Sequence, residues 1–542
     1  MTSEKQYNTV PLDEGKDDLP SSGVIPMKNV DDFLKMGNYC YLILIIAEFF
    51  LLAGAGNMIF MVFAGSAPKV SCVGSNFTIV DVCKAHLDPT KLTDCDLEVN
   101  YEFKSLNVEV SLFPTYLKAT LYENLYASLK SKPLKCSLQF GYLCAEGRWV
   151  KSSISVQMVG VLLGTLFFGT MSDRYGRKSS LFVSFIMTSI FSIASSFSNS
   201  LVTFTVLRTI LGFFSGGLLG TYGVYKMEHI PKKHRFWVAT VIAWAPNFIL
   251  LNLVAYISHD WRTFQRVLVV ISSPALLLFF VVHESPRWLI QKGKIKEARH
   301  VLQRIQHIDG QKEAKRDEME KMLDVAYQKL QAREEKMKNY NMRHLFYNRE
   351  MSLATGVFCL GVFMTSMINY GLVFNIETLS GSFFINSVLM GAIRWGINIV
   401  FGVLDYRWKP VGRKAVHMIS QASIATALAA IAALYVLKIE TSYSGVVRVA
   451  TIFAAATTSQ IFITKTISAM EYYPTVVRNS GLAFKSTCSR FGTILAPQLF
   501  IVVLGDGGIV HTQVVRMFTN SPPWVRFHQL SQSVVVDIGF TP

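Results

Sequence analysis

The chain has 542 residues, 51% of them apolar and only 17% charged, and its mean hydropathy is +0.33. Such apolar content excludes a disordered chain, the length excludes a small disulfide scaffold, and a water-soluble domain would carry about a quarter charged residues. The formal charge of +16 does not mark a nucleic-acid surface, because the bases lie between apolar runs rather than in one patch; no nucleic-acid partner is expected.

The chain opens on a polar tail, 1–37, with charges of both signs (Asp13, Glu14, Lys16, Asp17, Asp18). That pattern is not a cleavable signal peptide, so the first apolar run is expected to stay as an anchor. Eleven apolar runs follow, near 38–65, 153–172, 180–198, 201–225, 236–258, 263–282, 350–374, 383–404, 415–437, 446–469 and 481–504. Each is long enough to cross the ~30 Å hydrocarbon layer as a helix. They lack the period-2 alternation of barrel strands, so the expected class is an all-α polytopic membrane protein with the lipid bilayer as its surroundings.

Two connections are long. Residues 66–152 carry Cys72, Cys83, Cys95, Cys136 and Cys144, and the sequon Asn76-Phe77-Thr78. Cysteines beside a sequon predict an oxidising, extracellular loop with disulfides among the five and a glycan on Asn76; five reduced cysteines are the alternative. Residues 283–349 are dominated by charge and predict cytoplasmic amphipathic helices, such as Ile295–Ile308 and 313–336, with a solvated linker as the alternative for the second half.

The short loops 173–178, 226–235 and 407–414 are rich in base, whereas 198–200 and 375–382 have none. The positive-inside rule therefore puts the N-terminal tail in the cytoplasm and the 66–152 loop outside. The central connection divides the chain into a six-helix bundle, 38–282, and a second bundle of five, 350–504. The last stretch, 505–542, has no window of 18 apolar residues, and no twelfth span is expected there.

Gly169-Thr170-Met171-Ser172-Asp173-Arg174-Tyr175-Gly176-Arg177-Lys178 joins the second and third runs. It is similar to the signature loop of the major facilitator superfamily. Asp405-Tyr406-Arg407-Trp408-Lys409-Pro410-Val411-Gly412-Arg413-Lys414, between the eighth and ninth runs, looks like a degenerate copy, which implies two related halves. Three further stretches sharpen the match: Arg208-Thr209-Ile210-Leu211-Gly212 with Gly216-Gly217 and Glu228; Glu284-Ser285-Pro286-Arg287-Trp288-Leu289; and Glu471-Tyr472-Tyr473-Pro474-Thr475-Val476-Val477-Arg478. With the cysteine-rich first loop, they resemble the organic cation, organic anion and carnitine transporters (solute carrier family 22). His283 stands where that family usually has Pro, and Val362 where a tryptophan is often seen.

The resemblance implies two pseudo-symmetric bundles rocking about a central site in the plasma membrane. It implies a small organic ion as substrate and leaves a coupling ion or counter-substrate open. Gly169, Asp173, Arg174, Gly176, Arg177, Arg208, Glu228, Glu284, Arg287, Glu471 and Arg478 are expected to form cytoplasmic latches favouring an outward-open state. The missing twelfth span raises an alternative, a membrane protein that does not transport.

Charges deep in an apolar run are costly and usually face a partner or a water-filled path. At a rise of about 1.5 Å per residue, Glu48, Arg394 and Arg490 lie roughly 13–15 Å from the ends of their runs, near the midplane. The family resemblance places an arginine at Arg490 in the anion and carnitine transporters, an acid there in the cation transporters, and an acid at Arg394 in many members. Two arginines predict an amphipathic organic anion or zwitterion as substrate. The alternatives are a cation carrier with paired arginines and a sugar or inorganic-ion carrier. Glu48 is a candidate coupling acid, or an ion-pair partner of one arginine. Trp244, Phe363, Tyr370 and Trp395 are candidate cavity walls. Lys465 and Lys485 either draw anions in or snorkel to headgroups. No phosphate loop, metal spacing or nucleophile elbow occurs, so no enzyme activity, cofactor or metal is expected.

Overall fold

The computed structural model describes residues 33–66, 69–73, 96–106, 147–241, 244–310, 316–336, 345–374, 376, 379–407, 413–437, 439, 442–473 and 477–504. The first half contains α1 (Asn38–Ala64), α2 (Gly147–Tyr175), α3 (Arg177–Ser196), α4 (Leu201–His229), α5 (Arg235–Val241), α6 (Trp244–Ser258), α7 (Trp261–Ser272) and α8 (Pro274–Phe279). The central connection holds α9 (Pro286–Gln291), α10 (Ile295–Ile308) and α11 (Arg316–Lys336). The second half contains α12 (Arg349–Phe374), α13 (Phe383–Arg407), α14 (Arg413–Val436), α15 (Ser444–Tyr472) and α16 (Arg478–Leu504).

Among the described residues, ten helical stretches are long and apolar enough to cross a membrane, by length and composition. Helix α16 has comparable length, so a long helix stands at each of the eleven apolar runs. The sixth breaks at Ser273, where Pro274 starts α8 at a position that needs no amide donor. The first loop adds a two-stranded antiparallel ribbon to the otherwise helical chain, β1 (Lys69–Val73) against β2 (Asp96–Asn100), with Lys69 opposite Asn100.

Helix α1 is the most buried span because it lies against α4, α6 and α7 of its own half. Helices α2 and α4 approach through small residues. A Cβ on Gly160 or Gly164 of α2 would overlap the α4 backbone, and one on Gly212 would sit 2.5 Å from the Gln157 carbonyl oxygen. Without a hydrophobic force between helices in lipid, such close backbone contact supplies the packing. The second half pairs α12 with α16, and α15 with α13 and α14. The halves meet where α2 touches α16 and α6 touches α13.

At the end where α1 leaves for the first loop, aromatic rings from both halves interlock. Phe63 of α1 stands edge-on to Phe383 of α13 at 5.4 Å, and Phe103 of the loop lies 6.3 Å from Phe384. The segment 101–106 is tied down on both sides. Lys104 pairs with the backbone of His259 and Trp261, and Glu102 accepts from Ser382 Oγ at 2.7 Å and Phe383 N at 3.2 Å. The carboxylate thus caps the start of α13, a helix of the other half. Aromatic rings from both halves therefore close this end of the molecule in the structure.

Candidate functional site

Two constellations flank the centre of the fold, one in each half. The first half places Glu48 of α1 against α6: Asn247 Nδ2 donates to Glu48 Oε2 at 2.5 Å. Glu48 Oε1 is buried and has no hydrogen-bond partner. Lys226 of α4 lies close enough to act on Glu48 electrostatically. The sequence offered an arginine of the second half as ion-pair partner; the structure instead surrounds Glu48 with residues of its own half, because α1 packs inside that bundle. Trp244 packs, half-buried, against the main core cluster.

The second half contributes Arg394 of α13 and Arg490 of α16. Arg394 NH2 donates to Asn369 Oδ1 of α12 at 2.8 Å and to the Ala455 carbonyl of α15 at 2.7 Å. Thr458 Oγ1 shares the same Asn369 oxygen at 2.7 Å, so Asn369 is the hub that aims the guanidinium. The Nε of Arg394 is buried and makes no hydrogen bond. Arg490 points across to the other half, with NH1 4.0 Å from Met58 Sδ of α1. Its helix is pressed against α12: a Cβ on Gly492 would overlap the Phe363 carbonyl, and Ser489 and Ser366 hydroxyls meet at 2.5 Å. Trp395 donates its indole N–H to Val241 O of the first half at 3.2 Å, and the Tyr370 ring lies 5.7 Å from that of Phe374. Trp395 is therefore an inter-half contact; the Phe363 carbonyl lies against α16, and Tyr370 packs against the main core cluster.

Inside the membrane, over 354–374, 383–400, 415–436, 446–470 and 481–504, the second half contains Arg394, Arg448, Lys465, Lys485 and Arg490 and no Asp or Glu; Glu350 stands outside this stretch, in the first turn of α12. Neither Arg394 nor Arg490 has a carboxylate partner among the described residues. This charge asymmetry is readable in the sequence by listing ionisable residues span by span. The role of Asn369 is not: an amide in an apolar run gives no sign of its partner.

Of the residues expected as latches, Asp173, Gly176, Arg177, Glu228, Glu284 and Arg287 gather at the opposite end of the first half. Gly176 turns the chain between α2 and α3 with φ +113°, a conformation that favours glycine, and a Cβ there would overlap Glu284 Oε2. The Glu284 carboxylate accepts from Arg177 N at 3.0 Å and Lys178 N at 3.1 Å, and so caps α3. Arg177 binds Asp173 and lies 3.4 Å from Glu228 Oε1; Arg287 Nε donates to the Glu228 carbonyl at 3.0 Å. Trp288 closes the cluster on the Asp173 carbonyl at 3.1 Å. Burial pushes the Glu284 carboxyl above its ordinary value, partly offset by the backbone amides of Ser285, Lys178 and Arg177. Gly169 and Arg174 lie at this end but are exposed and outside the bonded core.

Arg208 does not join this cluster. It sits eight residues into α4 from the other end, fully buried. Its NH1 donates to Asn57 Oδ1 and its Nε to Gln157 Oε1, both at 3.2 Å, and it stacks over Phe60 at 4.3 Å. The correction follows from helix direction: α4 runs away from the Asp173 end, so its first turns lie a membrane thickness from its last. Asn57 and Gln157, polar residues inside apolar runs, went unmarked in the sequence reading. The side chains of Glu471 and Arg478, the loop 408–412, Asn76, Cys83, Cys95, Cys136, Cys144 and the 505–542 stretch lie outside the described residues, as does the Cys72 side chain.

Three comparisons bear on this architecture. The family profile "Sugar (and other) transporter" matches residues 115–520. The "Organic cation transporter protein" of Drosophila melanogaster is 28% identical over 425 residues, 76% of this chain and 73% of its own. "Solute carrier family 22 member 7" of Homo sapiens is 28% identical over 385 residues, 70% of this chain and 66% of its own. Among solved structures, the xylose transporter XylE from E. coli in a partially occluded inward open conformation superposes with a TM-score of 0.56 at 13% identity, covering 93% of this chain and 98% of that one. The last likeness is one of fold, the two-bundle arrangement of the major facilitator superfamily. A family profile spanning most of the chain, on a body of membrane-length helices divided into two bundles, identifies a multi-pass membrane transporter: the chain belongs to the sugar (and other) transporter family.

Proposed function

We propose that the protein is a secondary carrier of amphipathic organic anions, working by alternating access between its two halves in the plasma membrane. The observation that carries this reading is Arg490. Its guanidinium faces α1 across the junction of the halves, with no carboxylate partner among the described residues. The half it belongs to has no acid in the interior of its spans, so a cation in that part of the central path would meet net repulsion, and an anion net attraction. Arg394, oriented by Asn369, adds a second cation with a buried N–H left to offer. The Arg177–Glu228–Glu284 cluster serves as a latch that holds the ends of α2, α3 and α4 in register while the halves rock.

Relatives bearing the names organic cation transporter, organic cation/carnitine transporter and solute carrier family 22 support transport of small organic ions. The basic loops 173–178 and 226–235 support a cytoplasmic location for the N-terminal tail and the latch. The test is uptake of labelled organic anion and cation probes into cells, normalised to surface protein, for the native chain and for Arg490→Asp and Arg394→Glu. Anion uptake that falls at least tenfold in both variants supports the reading; uptake unaffected by both sinks it. A second reading, an organic cation carrier, draws on Glu48 with its unpaired Oε1. It requires cation uptake that Glu48→Gln abolishes and Arg490→Asp spares.

A further inference from the structure

Two lysines lie in the second half apart from the arginines, and the proposed central site uses neither. Lys465 of α15 is 7% exposed and Lys485 of α16 is 4% exposed. Both are therefore sealed inside the bundle, and neither reaches a headgroup by snorkelling. Lys465 Nζ donates to Thr365 Oγ1 of α12 at 3.1 Å, and Lys485 Nζ donates to Thr466 Oγ1 of α15 at 2.9 Å. Both ammonium groups thus lie where α12, α15 and α16 meet, one bonded to α12 and the other to α15, and they are close enough to act on one another electrostatically. The α12 wall is cut back for them: a Cβ on Gly361 would lie 2.7 Å from Lys465 Nζ.

The hydroxyls cannot neutralise these charges. Thr365 Oγ1 already donates to the Gly361 carbonyl at 2.6 Å, and Thr466 Oγ1 to the Phe462 carbonyl at 2.7 Å. Each can only accept, and it accepts one N–H of the three that an ammonium carries. Each lysine thus keeps donors to spare, in a half whose spans hold no acid in their interior. Burial without a counter-charge disfavours two ammonium groups side by side, and a compact anion between them favours both charged forms and takes up the unused donors.

We propose that Lys465 and Lys485, with Thr365 and Thr466, form a binding site for a compact monovalent anion, a halide or a small carboxylate, inside the second half. The site is separate from the central one: Lys485 precedes Arg490 by five residues, about 7.5 Å along α16. Its occupant neutralises the α12–α15–α16 junction and stiffens the half that carries both arginines.

The test uses the purified full-length chain in detergent. Thermal unfolding is followed by tryptophan fluorescence in sodium gluconate, whose anion is far bulkier than a halide or acetate, and with chloride or acetate replacing it at constant ionic strength. Native protein is expected to gain about 2–4 °C in midpoint, saturating with concentration. A response to chloride alone assigns the site to an inorganic ion; a response to acetate as well admits a carboxylate. The Lys465→Met/Lys485→Met double variant is expected to lose the response, and Arg490→Gln to keep it. Lys485→Gln, a milder change, is expected to raise the half-saturating concentration at least fivefold. No saturable response in the native chain overturns the proposal, as does a response that survives Lys485→Gln and the double variant unchanged. Loss on Arg490→Gln alone also overturns it, because it places the anion in the central path. Uptake by the arginine variants is a separate readout, so the proposed function stands or falls independently.

Discussion

Arg394 of α13 donates to Asn369 of α12 at 2.8 Å, and the same amide oxygen accepts from Thr458 of α15 at 2.7 Å. One amide thus binds three helices of the second half and sets the direction of a buried guanidinium. Replacing it by alanine leaves a charged donor short of its acceptor, at a cost of about 1.5–3 kcal/mol. Asn369→Ala is therefore expected to lower the thermal midpoint of the purified chain. It is also expected to reduce anion uptake more than Thr458→Ala, which removes the hydroxyl and leaves the arginine's acceptor in place.

Gly176 combines a left-handed φ with contact to the Glu284 carboxylate. A methyl group there strains the backbone and pushes the carboxylate off the first turn of α3. Gly176→Ala is expected to cost about 2–3 kcal/mol, read as a lower unfolding midpoint. Gly169→Ala, at a position with open space around it, is the control and is expected to be nearly neutral.

The Glu284 carboxyl is held above its ordinary value chiefly by burial. A raised carboxyl favours the folded state most when protonated. Its contribution is full below the ordinary carboxylate value and is lost as pH rises through the raised one. The midpoint of the native chain minus that of Glu284→Gln is therefore expected to fall as pH increases across that window. A difference that grows with pH would show that the amides of Arg177, Lys178 and Ser285 outweigh burial.

Glu102 of the first loop caps α13 of the second half, so it is broken or strained whenever the halves part at that end. Glu102→Ala is expected to lengthen the distance between spin labels at Asn199 and Tyr443, measured by pulsed electron resonance on reconstituted protein. An unchanged distance distribution would mean that the Phe63–Phe383 and Phe103–Phe384 ring contacts hold the seal alone.

Arg208 is satisfied by Asn57 and Gln157 in a fully buried pocket. Arg208→Met is expected to lower surface delivery of the protein severalfold, because it orphans Asn57 and Gln157 together. Arg174→Met, at an exposed position beside the latch, is expected to leave delivery unchanged.

Much of this architecture was legible in the sequence. Apolar runs of membrane length mark their helices because lipid leaves the backbone no other way to satisfy its polar groups. The boundaries of α10 follow from its amphipathic period, and the positions of Gly176 and Glu284 from a loop motif. The absence of acids from the interior of the second-half spans is a property of the sequence alone. Partnership was decided only by the tertiary structure. The sequence grouped Arg208 with the latch, where the direction of α4 sends it to the other end. It offered an arginine to Glu48, where α1 packs it against Asn247. It left Lys465 and Lys485 either to draw anions in or to snorkel, where the contact of α12, α15 and α16 seals them away from headgroups. The reason is physical: solvation by lipid acts on each segment by itself and is written along the chain. The environment of a buried charge depends on which helix faces lie against one another, and that is a property of packing between segments distant in sequence.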